Sequence, residues 1–367
     1  MRTLKIGDIE VRVPIIQGGM GIGVSLSGLA SAVANAGGVG TISAVMPGFR
    51  EPDIYKNYLE ANIRGLRKEI QRAKTLTNGI LAVNIMVALT NYEDMVRTAI
   101  EEGADIIISG AGLPLGLPKY LNGSSKTKLI PIISTERSAD LIIRKWQKSY
   151  NYIPDALILE SPFSGGHQGV KADEINQDIF KLDQQLPKVL SVAEKYQQMF
   201  GKPIPVIVAG GIYTGSDIRK YMEMGASGAQ LGTRFITTDE CDADMEFKKQ
   251  YLNCNNKNDI IVIKSPVGLP LRIIKNKFIV EVLKGKRKPK ACPYKCLHTC
   301  DYKEVSFCIS MALMNSQKGN INEGILCSGT NGYKNNEIIS VSELISRIKS
   351  EYNFNPLKKL KLQPAMI

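Results

Sequence analysis

The stretch from Pro203 to Phe235, PIPVIVAGGIYTGSDIRKYMEMGASGAQLGTRF, constrains the fold of this chain more than any other. Pro205 to Ala209 is a short, wholly apolar run, the pattern of a strand buried on both faces, and it ends at Gly210 and Gly211. Thr214, Ser216 and Asp217 supply N-cap chemistry for a helix that runs to Met224 and stops at Gly225. A second apolar strand, Gly228 to Leu231, ends at Gly232 and Thr233. Glycine at the end of both strands exposes backbone N–H groups that a Cβ would shield, so the pair of loops can hold one phosphate, as the last two units of a (β/α)8 barrel do. Ordinary turn glycines of an α/β protein are the alternative.

The rest of the chain repeats the same unit. Val13 to Gln17 reads as a strand that runs into Gly18-Gly19-Met20-Gly21-Ile22-Gly23, a loop nearly without side chains. An Ala-rich helix follows from Leu26 to Ala36, and Val39 to Ile42 is the next strand. No acidic residue about 20 positions beyond the glycines completes a dinucleotide fingerprint. A charged helical segment, Asp53 to Lys74, leads to Ile80–Asn84, whose terminal Asn84 can address a heterocycle edge or cap its own loop. Strands at Ile106–Ser109, Lys128–Ile133 and Asp155–Leu159 complete a set of eight alternating with helices. That number argues for α/β architecture closed as a (β/α)8 TIM barrel, with the polar strand ends on one face. After the sixth strand comes Glu160-Ser161-Pro162-Phe163-Ser164-Gly165-Gly166-His167-Gln168-Gly169. His167 is one of only two histidines. Its glycine frame lets an imidazole suited to proton transfer approach a ligand, while a structural histidine is the plainer reading.

A chain of 367 residues is long enough for one barrel of roughly 250 residues and an attachment. The expected parts are the barrel over 1–237, a small, mainly helical, cysteine-containing cap over 238–335, and a terminal helix with its tail over 336–367. The N-terminus lacks a signal-peptide core, and no apolar run approaches the roughly 20 residues that span a bilayer. Together with the cysteine usage, this points to a reducing, cytoplasmic setting. A net charge of +12 suggests acidic ligands, although most lysines are scattered. The one block, Lys284 to Lys290 directly before the cysteine cluster, gives a minor alternative reading as a basic metal-binding module that contacts nucleic acid, weakened because almost no aromatics are interleaved with its lysines. Cys292, Cys296 and Cys300 recur every four residues, with Cys308 and His298 nearby. On one helix their sulfurs would form a stripe, but the spacing matches no common zinc or ferredoxin pattern. Buried thiols and a metal or iron–sulfur centre both remain readings, and the catalytic site is expected to hold no metal.

Pro14 to Met20, Ser164 to Gly169, Ala209 to Ile212 and Gly228 to Phe235 together resemble the nitronate monooxygenase family, formerly 2-nitropropane dioxygenase, over about residues 5–280. The FMN-dependent enoyl-acyl carrier protein reductases are similar at the same motifs. The resemblance implies an oxidoreductase with FMN as cofactor. It puts the flavin phosphate on the loops after the seventh and eighth strands, at Gly210, Gly211, Gly232 and Thr233, and the ring over Gly18, Gly19 and Met20. Asn84, Gly166, Gln168, Gly169, Ala209 and Gln230 complete the cofactor-binding set, and His167 takes the family's active-site position. Oxidation of alkyl nitronates by oxygen is the activity implied first, and NAD(P)H-dependent reduction of an enoyl thioester or quinone the alternative. The expected partners are a small-molecule substrate and, on the second reading, NAD(P)H or an acyl carrier protein. No membrane partner is expected, and the chain could form a homo-oligomer. The tail from Asn355 to Ile367 reads as an arm or partner contact.

Overall fold

Residues 1–121, 123 and 126–354 are described by a computed structural model. The tail beyond Phe354, and the partner contact expected of it, lie outside the described residues.

Eight parallel strands carry the fold: β1 (Ile15–Gln17), β2 (Gly40–Ser43), β3 (Leu81–Met86), β4 (Ile106–Gly110), β5 (Lys128–Ile133), β6 (Leu157–Glu160), β7 (Val206–Ala209) and β8 (Gly228–Leu231). They pair in the order β1-β8-β7-β6-β5-β4-β3-β2. The seam between β1 and β2 closes through a parallel bridge of Ile16 with Val39, where the Gln17 N–H donates to the Val39 carbonyl at 3.0 Å. The buried Gln17 side chain stitches the same seam by accepting the Thr41 N–H at 2.9 Å.

Alternation along these strands explains why they read as unbroken apolar runs. Ile16, Ala82, Ile106, Ile130, Ile158 and Ile207 fill the barrel interior together with Leu4, Ile6 and Val11. The last three belong to an antiparallel hairpin, Leu4–Ile6 with Ile9–Val11, that precedes the barrel. The intervening residues Ile15, Val83, Ile107, Leu129, Leu157 and Val206 pack outward against the helices. Both faces are therefore dry, and each such side chain contributes about 1.5–3 kcal/mol of burial.

Helices Ser27–Asn35, Tyr58–Leu76, Tyr92–Glu101, Glu136–Tyr150, Leu182–Phe200 and Gly215–Glu223 follow strands β1, β2, β3, β5, β6 and β7. A 3-10 turn, Leu117–Tyr120, follows β4. The helix after β7 begins with a capping box. Thr214 Oγ1 accepts the Asp217 N–H at 3.1 Å, and the Asp217 carboxylate accepts the Thr214 N–H at 2.7 Å. Gly225, at φ +108°, ends it.

The terminal helix Val341–Asn353, set apart from the barrel in the sequence reading, packs against Gly215–Glu223 and Ser27–Asn35 and so takes the eighth place in the ring. Its approach depends on Gly215, where a Cβ would come within 2.0 Å of the Ile348 carbonyl. Between β8 and this helix, helices Met245–Asn253, Lys277–Leu283 and Ile309–Gln317 cover the barrel mouth. The cap also contains an antiparallel sheet of Ile260–Lys264, Pro270–Ile274 and Leu326–Cys327, to which Gly166–His167 adds a fourth strand. Gly166–His167 and Leu326–Cys327 are two residues each and lie far along the chain from the other two strands, so no local period announces this sheet. The cysteine segment is not helical, and its four-residue spacing makes no stripe. It runs as irregular chain tied to the loop after β3 by the Thr90 N–H to Cys296 carbonyl bond (3.1 Å) and the His298 N–H to Ala88 carbonyl bond (3.1 Å).

Candidate active site at the barrel mouth

Strand ends and cap enclose one cavity of about 690 Å³. Each residue singled out from the sequence lines it. Gly18, Gly19 and Met20 follow β1, Asn84 lies in β3, and Gly166 to Gly169 follow β6. Ala209 to Gly211 close β7, and Gln230, Gly232 and Thr233 close β8. Close packing explains several of the small residues. A Cβ on Gly19 would meet the Asn84 Cβ at 2.3 Å, and one on Gly169 would meet the Ser134 Oγ at 2.2 Å.

The ends of β7 and β8 form an anion-ready corner. Gly210 and Gly211 have φ of +88° and +78°, which turns the chain sharply out of the strand. The Gly211 and Gly232 N–H groups donate to no acceptor in the protein among the described residues. Gly329 to Gly332, from the cap, complete the corner. The Gly329 N–H donates to Thr233 Oγ1 at 2.9 Å, and Asn331 Nδ2 donates to the Gly211 carbonyl at 2.7 Å. This Gly-Thr-Asn-Gly run was missed in the sequence, although its glycine framing is the same signal that marked the other loops. Behind it, Arg234 holds the Glu351 carboxylate with two donors, Nη1 at 3.0 Å and Nη2 at 2.8 Å, fixing the β8 loop to the terminal helix.

On the opposite wall, His167 sits in the strand that pairs with Pro270–Ile274, in register with Leu271. Its Nε2 lies 2.9 Å from Ser265 Oγ, which also accepts the Val267 N–H at 3.0 Å. The ring faces the enclosed cavity, and burial pushes its pKa down to about 4. His167 is therefore neutral at pH 7 and a weak proton acceptor. Glu160, at the end of β6, shares the cavity without a hydrogen bond or ion pair among the described residues. Burial pushes its carboxyl up to about 7, so it retains a proton through much of the neutral range. Gln168 Nε2 donates to the Ser164 and Gly166 carbonyls at 3.0 and 2.9 Å, while its Oε1 and the Gln230 Oε1 are buried without partners. Those two acceptors and Ser164 Oγ are available to a ligand.

Among the described residues no group of three or more His, Cys, Asp or Glu is placed to hold a metal ion. Cys296 is buried with Sγ 3.1 Å from Ser310 Oγ, and burial raises its pKa to about 11, so it stays a thiol. Arg287, in the basic block, is paired by Glu281 and Glu323 of the same chain, which lowers the field available to an external polyanion. No helix among the described residues is long and apolar enough to cross a membrane.

A sequence profile of the nitronate monooxygenase family matches residues 2–351. A probable nitronate monooxygenase of Staphylococcus saprophyticus is 26% identical over 304 residues, which span 76% of this chain and 80% of the relative. An octahydroindene carboxyl-CoA dehydrogenase of Mycobacterium tuberculosis is 27% identical over 290 residues, 78% of this chain and 70% of that one. Among solved structures, FabK from Thermotoga maritima superposes with a TM-score of 0.71 at 26% identity, covering 96% of both chains. A nitroalkane oxidase from Streptomyces ansochromogenes, at 22% identity and a TM-score of 0.69, shares the fold.

Proposed function

Because this chain belongs to the nitronate monooxygenase family, and is thus an oxidoreductase, we propose that it holds one FMN in the 690 Å³ cavity and oxidises alkyl nitronates with oxygen. The corner formed by Gly210, Gly211, Gly232 and Thr233 carries this reading, because the free Gly211 and Gly232 N–H groups suit a phosphate dianion. The unpaired Gln230 and Gln168 oxygens suit the N–H and hydroxyl groups of a flavin nucleotide. When bound, the flavin supplies the electron transfer.

The protein's own residues would then set charge and orientation. Neutral His167, held by Ser265, can donate one hydrogen bond to an anionic nitronate, and its low basicity suits a substrate that arrives already deprotonated. The cap keeps bulk water from the reacting atoms by burying Tyr251, Val267 and Ile309 along the cavity wall.

One observation favours a second reading. Glu160, an unpaired carboxyl on the cavity wall whose pKa burial raises to about 7, is a proton donor that nitronate oxidation does not need and that reduction of an enoyl thioester by NAD(P)H does. An acyl carrier protein or coenzyme A would then present the substrate. Purified protein, its flavin released and quantified, should yield about one FMN per chain. The same protein incubated anaerobically with NADH, an enoyl thioester or propionate 3-nitronate should be bleached rapidly by the nitronate alone. Rapid bleaching by NADH, followed by reoxidation with the enoyl thioester, would replace the first reading with the second. A colourless protein that takes up no added FMN would remove both.

A further inference from the structure

Behind the His167 strand lies a second cavity of about 750 Å³, which shares Gly169 and Leu269 with the wall of the first. Its floor is Arg272, in the strand Pro270–Ile274 and in register with Gly166. Arg272 is only 7% exposed. Its Nη2 donates to the Pro162 carbonyl at 2.7 Å, its Nε is buried without any partner, and among the described residues no carboxylate pairs with it. A guanidinium withdrawn from water without a counter-charge is strongly disfavoured, and burial lowers its pKa accordingly. Arginines at such depth are normally matched by a carboxylate or phosphate.

The remaining walls describe what that counter-charge would be attached to. Val170, Ile175, Ile263 and Leu269 make an apolar side, and the exposed Lys171 and Lys264 stand at the rim. Glu174 is the one carboxylate on the lining among the described residues. It is engaged by the Lys171 N–H at 2.9 Å, so three cations face one anion. We propose that this cavity is a second ligand site, which takes an amphipathic anion with its carboxylate or phosphate head on Arg272 and its alkyl or acyl chain against Val170, Ile175 and Leu269. Arg272 does not line the first cavity, so the assignment stands apart from the flavin and nitronate reading.

Isothermal titration of the flavin-containing protein with hexanoate and with hexyl phosphate tests the site, with hexanol as the uncharged control. At least one of the anions should bind, the tighter of the two identifying the preferred head, and hexanol should bind at least tenfold more weakly. Arg272→Met removes the buried charge while keeping the volume, and should weaken the anion by roughly 10- to 100-fold, as loss of a charged hydrogen bond does, with flavin content unchanged. Should that variant fail to fold, Lys171→Glu with Lys264→Glu, both at exposed positions, should still lower affinity several-fold and flatten its salt dependence. The proposal is overturned if neither anion binds, if hexanol binds as tightly as the anions, or if the charge variants that fold bind like the parent.

Discussion

Replacing Glu160 by glutamine should make the flavin-free protein more stable, and increasingly so as pH rises. Glu160 titrates near 7 in the fold against an ordinary 4.5, because burial at the end of β6 disfavours its charged form. A carboxyl whose pKa is raised on folding costs nothing below the unfolded value and destabilises progressively as pH climbs through the folded one. With those two values, ionisation costs about 1 kcal/mol at pH 5 and about 3 kcal/mol at pH 8. Glutamine keeps the shape and cannot ionise, so the advantage of Glu160→Gln should grow by about 2 kcal/mol over that interval. For a chain of this length, that is a relative rise in melting temperature of about 3 °C. His167 in the same cavity shifts the other way. Its stabilising contribution is complete above its unfolded pKa and is lost as pH falls through about 4, but it is common to both proteins and cancels in the difference. Thermal or urea melts of both proteins at pH 5, 7 and 8 measure the divergence directly. Parallel curves would refute the reasoning, because they would mean that Glu160 is solvated or paired and carries no excess proton.

Three further outcomes follow from the same geometry. If His167 abstracts a proton from neutral nitroalkanes, His167→Asn should lower their turnover by roughly 10²- to 10⁴-fold while turnover of preformed nitronate falls much less; equal losses would assign it to positioning, the role its neutral state favours. Gly210→Ala should cost about 1–2 kcal/mol for φ alone, with a further penalty because its Cβ would lie 2.6 Å from the Ser161 carbonyl; the flavin content of the purified variant measures the damage to the phosphate corner, and full retention would contradict its assignment. Replacing Cys296 and Cys300 by serine should leave turnover and flavin absorbance intact, since no metal-binding group is assembled there among the described residues; loss of activity at unchanged flavin content and melting temperature would reinstate a redox centre.

The barrel and most of one site wall were legible in the sequence because their signals are local. A strand buried on both faces is a contiguous apolar run, as at Val206–Ala209, and a loop that must approach a ligand is glycine-rich wherever it stands. The capping box at Thr214 and Asp217 likewise lies within four residues. Other features depend on residues far apart in the chain, and no local pattern announces them. Ser265 reaches His167 across 98 positions, Glu351 reaches Arg234 across 117, and Gly329 reaches Thr233 across 96. Protonation is decided the same way: nothing in the neighbours of Glu160 and His167 sets their charge, whereas enclosure by barrel and cap withdraws both from water and drives each toward its neutral form. Sequence marked the glycine-rich chain that lines the cavity. Tertiary structure decided what that surface is charged with, because desolvation and long-range pairing exist only once the cap has closed over the barrel.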